Sequence, residues 1–187
     1  MVTAMESVLD RPWTTESFLA WEGQQEFKYE FDGRRMIFMK GGSIAHQRIV
    51  ANTWLALLGL IGERPLMVLQ EMRLRLGSQI RYPDVAICAG PLDQTARTLT
   101  DALALFEVLS DDTATTDRVQ KLIDYAAVPS LRCYVLLEQT AVAATLFNRE
   151  PGGDWIASAH TTDELVLAGI DITVPLAALY RGLSFQT

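Results

Sequence analysis

The sequence predicts one α/β domain, and three observations carry that reading. Short segments with period-two or unbroken apolar patterning alternate with stretches whose apolar residues recur every three to four positions. Glycine, proline and small polar residues fall at the boundaries between them. The 187 residues, 49% hydrophobic and 21% charged, show no internal repeat, low-complexity tract or linker, and a chain of this length buries about two-thirds of its unfolded surface without a staple. Residues 1–13 are expected to form a flexible lead to a domain that otherwise takes in the whole of 1–187.

Thr14, or failing it Thr15, caps a helix through residue 23, with Glu16 in its first turn and Phe18, Leu19 and Trp21 as its apolar side. Residues 27–31 alternate, Phe27, Tyr29 and Phe31 against Lys28 and Glu30, and Asp32-Gly33 turns the chain into a returning strand at 35–39. After Gly41-Gly42-Ser43 the longest helix covers 44–61, its apolar line of Val50, Trp54, Leu57 and Ile61 beginning at His46. Residues 66–76 supply one or two strands before the Gly77-Ser78 turn. Residues 80–89 form another, and Pro83 inside it marks an edge, a bulge or a fork in the sheet. Residues 90–101 are a polar connection, and 102–109 read as a central strand covered on both faces.

Ser110-Asp111-Asp112-Thr113 breaks that strand, and 116–128 follow as a helix with the stripe Val119, Leu122, Ile123 and Ala126, stopped by Pro129. Strands at 131–137, 142–148 and 155–160 come next, the last two separated by the turn Glu150-Pro151-Gly152-Gly153. Val174-Pro175 opens a short closing helix through Tyr180.

Composition excludes several classes. No uninterrupted apolar run reaches the roughly 18–20 residues of a membrane span, and Glu6, Asp10 and Arg11 replace the basic and apolar regions of a signal peptide, so a cytoplasmic protein is expected. Cys88 and Cys133 lie in apolar runs far from His46 and His160, which speaks against a zinc ribbon and for small buried hydrophobes. A net charge of −7 argues against nucleic-acid binding by overall attraction, though not against a local basic groove. There is no Gly-x-Ser-x-Gly elbow for a serine hydrolase and no helix-turn-helix or basic arm.

Two acids stand out. Asp84 lies in Arg81-Tyr82-Pro83-Asp84-Val85, and Glu107 is the one charge in the run Phe106-Glu107-Val108-Leu109. Burying a carboxylate is costly unless a cation or hydrogen bonds receive it. Period two sends Asp84 to the Tyr82 side of its strand and Glu107 to the side of Leu103, Leu105 and Leu109, so adjacent strands would bring them together. Paired carboxylates at strand ends suit a hard cation such as Mg²⁺, which takes only one or two of them.

These residues resemble the Uma-two family of restriction-endonuclease type, placed in the PD-(D/E)XK nuclease superfamily. The resemblance runs over residues 14–183. It rests on Tyr29-Glu30 with Gly33, His46, Pro83-Asp84-Val85, Glu107-Val108-Leu109-Ser110, Asp117, Lys121, Tyr125, and Tyr134-Val135-Leu136 followed by Glu138. It implies a restriction-endonuclease-like α+β core, a mixed sheet flanked by helices, with a Mg²⁺- or Mn²⁺-dependent phosphodiesterase site at one end acting on nucleic acid, DNA first. By that resemblance Asp84 and Glu107 are metal ligands, with the Val108 carbonyl as a further one. Glu30 and His46 stand near the same pocket, Lys121 holds the attacking water or stabilises the developing phosphorane charge, and Tyr125 lines the site.

The superfamily places a lysine two residues after the second acid, and here that residue is Leu109; Lys121 replaces it only if its helix leans over the carboxylates. Local alternatives exist for each residue. Asp84 can accept backbone hydrogen bonds at a strand end or pair with Arg81 or Arg73, Lys121 can pair with Asp117, Glu30 can pair with Lys28 or stand solvated, and His46 can bond within its helix turn. The corresponding alternative for the whole chain is a catalytically weak or inactive nuclease-fold module used for dimerisation or regulation. A two-fold homodimer is expected from the prevalence of that symmetry.

Overall fold

The computed structural model describes residues 12–109 and 115–185, the side chains of 115–118 excepted. Of the lead expected to be flexible, residues 1–11 lie outside that range, and Trp13 is buried with its ring 5.7 Å from that of Trp21. Thr14 caps α1 (Thr15–Glu22): its hydroxyl accepts from the Ser17 N–H, and the Ser17 hydroxyl accepts from the Thr14 N–H. The helix packs through Phe18, fully buried and stacked 5.0 Å from Phe31.

Beneath α1 lies a small sheet built from β1 (Tyr29–Phe31), β2 (Met36–Phe38), β4 (Leu74–Leu76) and β5 (Gln79–Arg81), in the order β2-β1-β5-β4. The β1–β2 hairpin turns where the Asp32 carboxylate accepts from the N–H groups of Arg34 and Arg35 and Gly33 takes a φ of 90°. The larger sheet contains β3 (Leu66–Gln70), β6 (Val85–Ala89), β7 (Ala104–Val108), β8 (Cys133–Leu137), β9 (Ala144–Arg149) and β10 (Trp155–His160), in the order β10-β9-β8-β7-β6-β3. Every pairing in it is antiparallel except β7 with β8, which the helix α3 (Thr115–Ala126) joins as a crossover. The sheet is thus mixed and flanked by helices, as expected.

The expected strand at 80–89 is a fork. It breaks at residues 82–84 and passes from the small sheet, as β5, to the large one, as β6; Pro83, which has no N–H to give a ladder, sits at the crossing. The long helix α2 (Ile44–Ile61) covers one face of the large sheet, burying Ile49, Val50, Leu57 and Ile61 against Val85, Ile87, Phe106 and Val135. Each such side chain contributes about 1.5–3 kcal/mol. By length and a mean hydropathy of 1.2 this helix would also reach across a bilayer, yet its buried Asn52 donates to the carbonyls of Leu179 and Arg181, as befits a core helix. On the opposite face Ala86, Cys88, Leu105 and Tyr134 pack with Tyr125 of α3. The chain closes with the hairpin β11 (Glu164–Leu167) and β12 (Ile172–Pro175), which the sequence reading did not separate out, and with α4 (Leu176–Leu179).

The stripe predicted for α3 holds at Leu122, which packs beside Tyr125, and at half-buried Ala126, and is corrected at its other two members. Val119 and Ile123 are 53% and 58% exposed, whereas Asp124 and Tyr125 are buried and Lys121 is largely so. The helix turns its polar side to the protein, for a reason found at the end of the sheet.

Candidate active site

The register of β6 against β7 pairs Val85 with Phe106, so one step further along the ladder Asp84 stands across from Glu107. Alternation puts both on the face that carries Ala86, Leu105 and α3. Asp84 is held by the main chain beside Glu107: its Oδ2 accepts from the Val108 N–H at 2.7 Å. Val108 is therefore at the site, and the contact it shows is through its nitrogen. From the other side the His46 Nε2, in the first turn of α2, lies 3.4 Å from the same oxygen.

Glu107 is 8% exposed. Its Oε1 accepts a 2.7 Å hydrogen bond from the Tyr125 hydroxyl, and the Lys121 Nζ lies 3.3 Å from both of its oxygens. Lys121 and Tyr125 are four residues apart and share one side of α3, so a single helix presents both to one carboxylate. The Lys121 Nζ is also 3.4 Å from Glu30 Oε1. Helix α3 does lean over the carboxylates, and it brings an ammonium to the charge that buried Leu109 cannot serve. The Asp117 side chain, the alternative partner for Lys121, lies outside the described residues.

The structure thus brings together Asp84, Glu107, Lys121, Tyr125, Glu30 and His46 from four elements and the fork between β5 and β6. Of the local alternatives for the acids, the main-chain hydrogen bond expected of a strand-end Asp84 is present, from Val108, but the ion pairs are not: Lys28 pairs with Glu71 at 2.7 Å, Arg73 bonds Glu22, and Arg81 bonds Glu30 and Asp124. Arg81, a possible partner for Asp84 from the sequence, is instead fully buried behind the site. Its guanidinium donates to Glu30 Oε2 at 3.0 Å and to Asp124 Oδ2 at 2.6 and 3.2 Å. Asp124, which the sequence reading missed, also accepts from the side-chain amides of Gln79 and Gln120 at 3.0 and 2.8 Å. The signal available for it was its place beside Tyr125, three residues after Lys121, on the polar side of the helix.

The electrostatics follow from burial. Removal from water, with the charges of Asp84 and Glu30 nearby, pushes the Glu107 carboxyl up to about 7, against the opposing pull of Lys121 and the Tyr125 hydrogen bond. Burial, with Glu107 beside it, also holds the Tyr125 phenol well above its usual range. Burial alone would lower the His46 imidazole, but its bond to Asp84 and the charges of Asp84, Glu107 and Glu71 raise it. Among the described residues, four carboxylates, Glu30, Asp84, Glu107 and Asp124, meet two permanent cations, Arg81 and Lys121.

The family model of Uma2, described as "Putative restriction endonuclease", matches residues 15–177, nearly the full extent of the resemblance. The chain belongs to the Uma2 family. The protein slr1290 of Synechocystis is 31% identical to it over 175 residues, covering 91% of this chain and 92% of the relative. A second Synechocystis protein, sll1609, is 28% identical over 162 residues, covering 83% and 89%. The crystal structure of a protein from Anabaena variabilis, described as a "putative nuclease belonging to DUF820", superimposes with a TM-score of 0.75 over 90% of this chain and 98% of that one, at 14% identity. That likeness establishes the restriction-endonuclease-like fold.

Among the described residues no three acid, histidine or cysteine side chains stand clustered as a ready-made metal cage. The donor set nevertheless fits a hard divalent ion. Such an ion keeps several waters and takes one or two carboxylates, and a cation held by Asp84 and Glu107 would offset both the burial that raises the Glu107 carboxyl and the lesser push of the neighbouring acids.

Proposed function

We propose that this protein is a Mg²⁺- or Mn²⁺-dependent endonuclease, working in the cytoplasm, that hydrolyses phosphodiester bonds of DNA. The observation that carries the reading is the approach of Lys121 to both oxygens of Glu107, directly across the ladder from Asp84. Together these supply two anionic ligands and a cation in the arrangement the superfamily uses, with the cation delivered from a helix instead of the strand. Asp84 and Glu107 would hold the ion, and when bound it supplies Lewis acidity toward water and toward a phosphoryl oxygen.

The chain's own groups do the rest. The Val108 N–H fixes the Asp84 rotamer, and the Tyr125 hydroxyl fixes that of Glu107. Lys121 is placed to donate to an attacking water or to a non-bridging oxygen of the phosphate, where charge grows as the bond to the leaving oxygen breaks. His46, on the far side of Asp84, is in position to exchange a proton with a water held there.

Purified protein with Mg²⁺ or Mn²⁺ and a panel of single-stranded, double-stranded and branched DNA tests this. Asp84→Ala and Glu107→Ala should abolish cleavage, and Lys121→Ala should lower it by about 10²-fold or more. Cleavage that survives both carboxylate substitutions would belong to a contaminant, and the absence of cleavage on every substrate would leave the nuclease-fold module as the better account.

A further inference from the structure

We infer that β10 is the interface between two copies of this chain, which pair antiparallel through it into one continuous sheet; the inference is independent of the nuclease reading. Strand β10 pairs along all six residues with β9, from Trp155 with Arg149 to His160 with Ala144, and its other edge meets no strand among the described residues. Residues 156–159 are exposed, and Ile156 remains 56% accessible.

An open edge is a template for a further strand, and folded proteins usually protect it with charge, proline, brevity or a cover. Among the described residues the other edges are short or flanked by charge or proline. Strand β3 follows Arg64-Pro65 and ends against Glu71; β2 has three residues between Arg35 and Lys40; β4 carries Arg75 and is bridged by Leu99; β11 begins with Glu164 and β12 ends with Pro175. Strand β10, Trp-Ile-Ala-Ser-Ala-His, carries no acid, lysine, arginine, proline or glycine. Asp154 stands just before it, and among the described strands it is the longest open edge, with no charge along its six residues.

A second copy is the occupant that edge fits. A two-fold axis normal to the sheet keeps each residue on its own face, so opposed residues must have the same parity. Centred on Ala157, the pairing sets Ala157 against itself and Ser158 against Ile156. It also brings His160 across from Asp154 of the second copy, an acid facing a base at each end of the ladder. The methyl side chain at the axis lets the two strands approach without a clash.

Sedimentation velocity over a wide range of micromolar concentrations should show a dimer. Ala157→Lys and Ala157→Glu each place two like charges directly opposed at the axis and should each weaken the dimer several-fold, and an equimolar mixture of the two should restore it as a heterodimer. Amide hydrogen exchange on the unaltered chain gives the same answer without a substitution, because residues 155–160 should become more protected as concentration rises. A monomer at every concentration, a dimer indifferent to both substitutions, a mixture that stays monomeric, or exchange in β10 that ignores concentration would each overturn the inference.

Discussion

Replacing Glu107 with glutamine should stabilise the metal-free protein in alkaline solution and leave it unchanged in acid. In the folded chain the carboxyl titrates near 7 because it is buried beside Asp84 and Glu30; an unfolded glutamate titrates near 4.5. Between those values the folded state holds a proton that the unfolded state has lost, so stability falls as pH rises through that window. At about 1.4 kcal/mol per unit, the shift amounts to about 3 kcal/mol above pH ~7, with the opposing pull of Lys121 already included. The amide introduced by Glu107→Gln keeps the shape and can still accept from the Tyr125 hydroxyl, while Glu30, 3.4 Å from the Lys121 Nζ, keeps that ammonium paired. Urea unfolding with a chelator should show the two proteins equal at about pH 4 and the variant more stable at about pH 8. Added Mg²⁺ should then raise the stability of the parent at the higher pH and leave the variant as it was. A stability difference that is flat with pH, or one that favours the parent at high pH without metal, would refute the account of Glu107 as a buried, under-compensated acid.

Two other perturbations test the surroundings. Arg81→Met removes the cation between Glu30 and Asp124 and leaves two buried carboxylates facing each other; it should cost about 3–5 kcal/mol in urea unfolding, and a loss below about 1 kcal/mol would contradict the network. At Gly42 an added Cβ would lie 2.6 Å from His46 Nδ1 and 2.8 Å from its Cγ, while at Gly41 it would meet nothing within 4 Å. Gly42→Ala should therefore push the ring from Asp84 and lower the titration of His46 toward the ordinary histidine value, with Gly41→Ala silent. The two histidine C2–H signals in a proton NMR titration read this directly, and equal behaviour of the two variants would refute it.

The parts of the molecule legible in the sequence are those whose signal is local. Strand β10 covers the predicted 155–160, after the turn at Gly152-Gly153, and α2 runs over the predicted 44–61 because Ser43 caps it and Gly62 ends it. The hairpin of β11 and β12 was legible in principle, since Glu164-Leu165-Val166-Leu167 alternates exposed and buried, but four-residue strands carry little pattern. Asp84 and Glu107 announced themselves as acids in apolar runs. What closes the site around them comes from elsewhere: Glu30 reaches Arg81 across 51 positions, and Arg81 reaches Asp124 across 43. No spacing rule connects such residues, so the sequence offers Arg81 only its neighbour Asp84 as a partner and does not single out Asp124.

The orientation of α3 turns on the same long-range charges. A helical wheel assigns the apolar stripe to the core because burial of a large aliphatic side chain contributes about 1.5–3 kcal/mol, and leaving Val119 and Ile123 in water forgoes much of that twice. Rotating the helix to bury them would take Lys121 from Glu107 and Asp124 from Arg81. A buried charge left without its partner costs about 3–5 kcal/mol, and here two pairs would break together. The electrostatic side therefore wins, and it wins only because the strands have already gathered Glu30, Asp84 and Glu107 at one place. The helix that completes the site is docked by the groups that would carry its chemistry. A substitution at Lys121 or Asp124 would consequently disturb the seating of α3, and a loss of cleavage at either position would become a statement about chemistry only when the exchange protection of α3 is shown to persist.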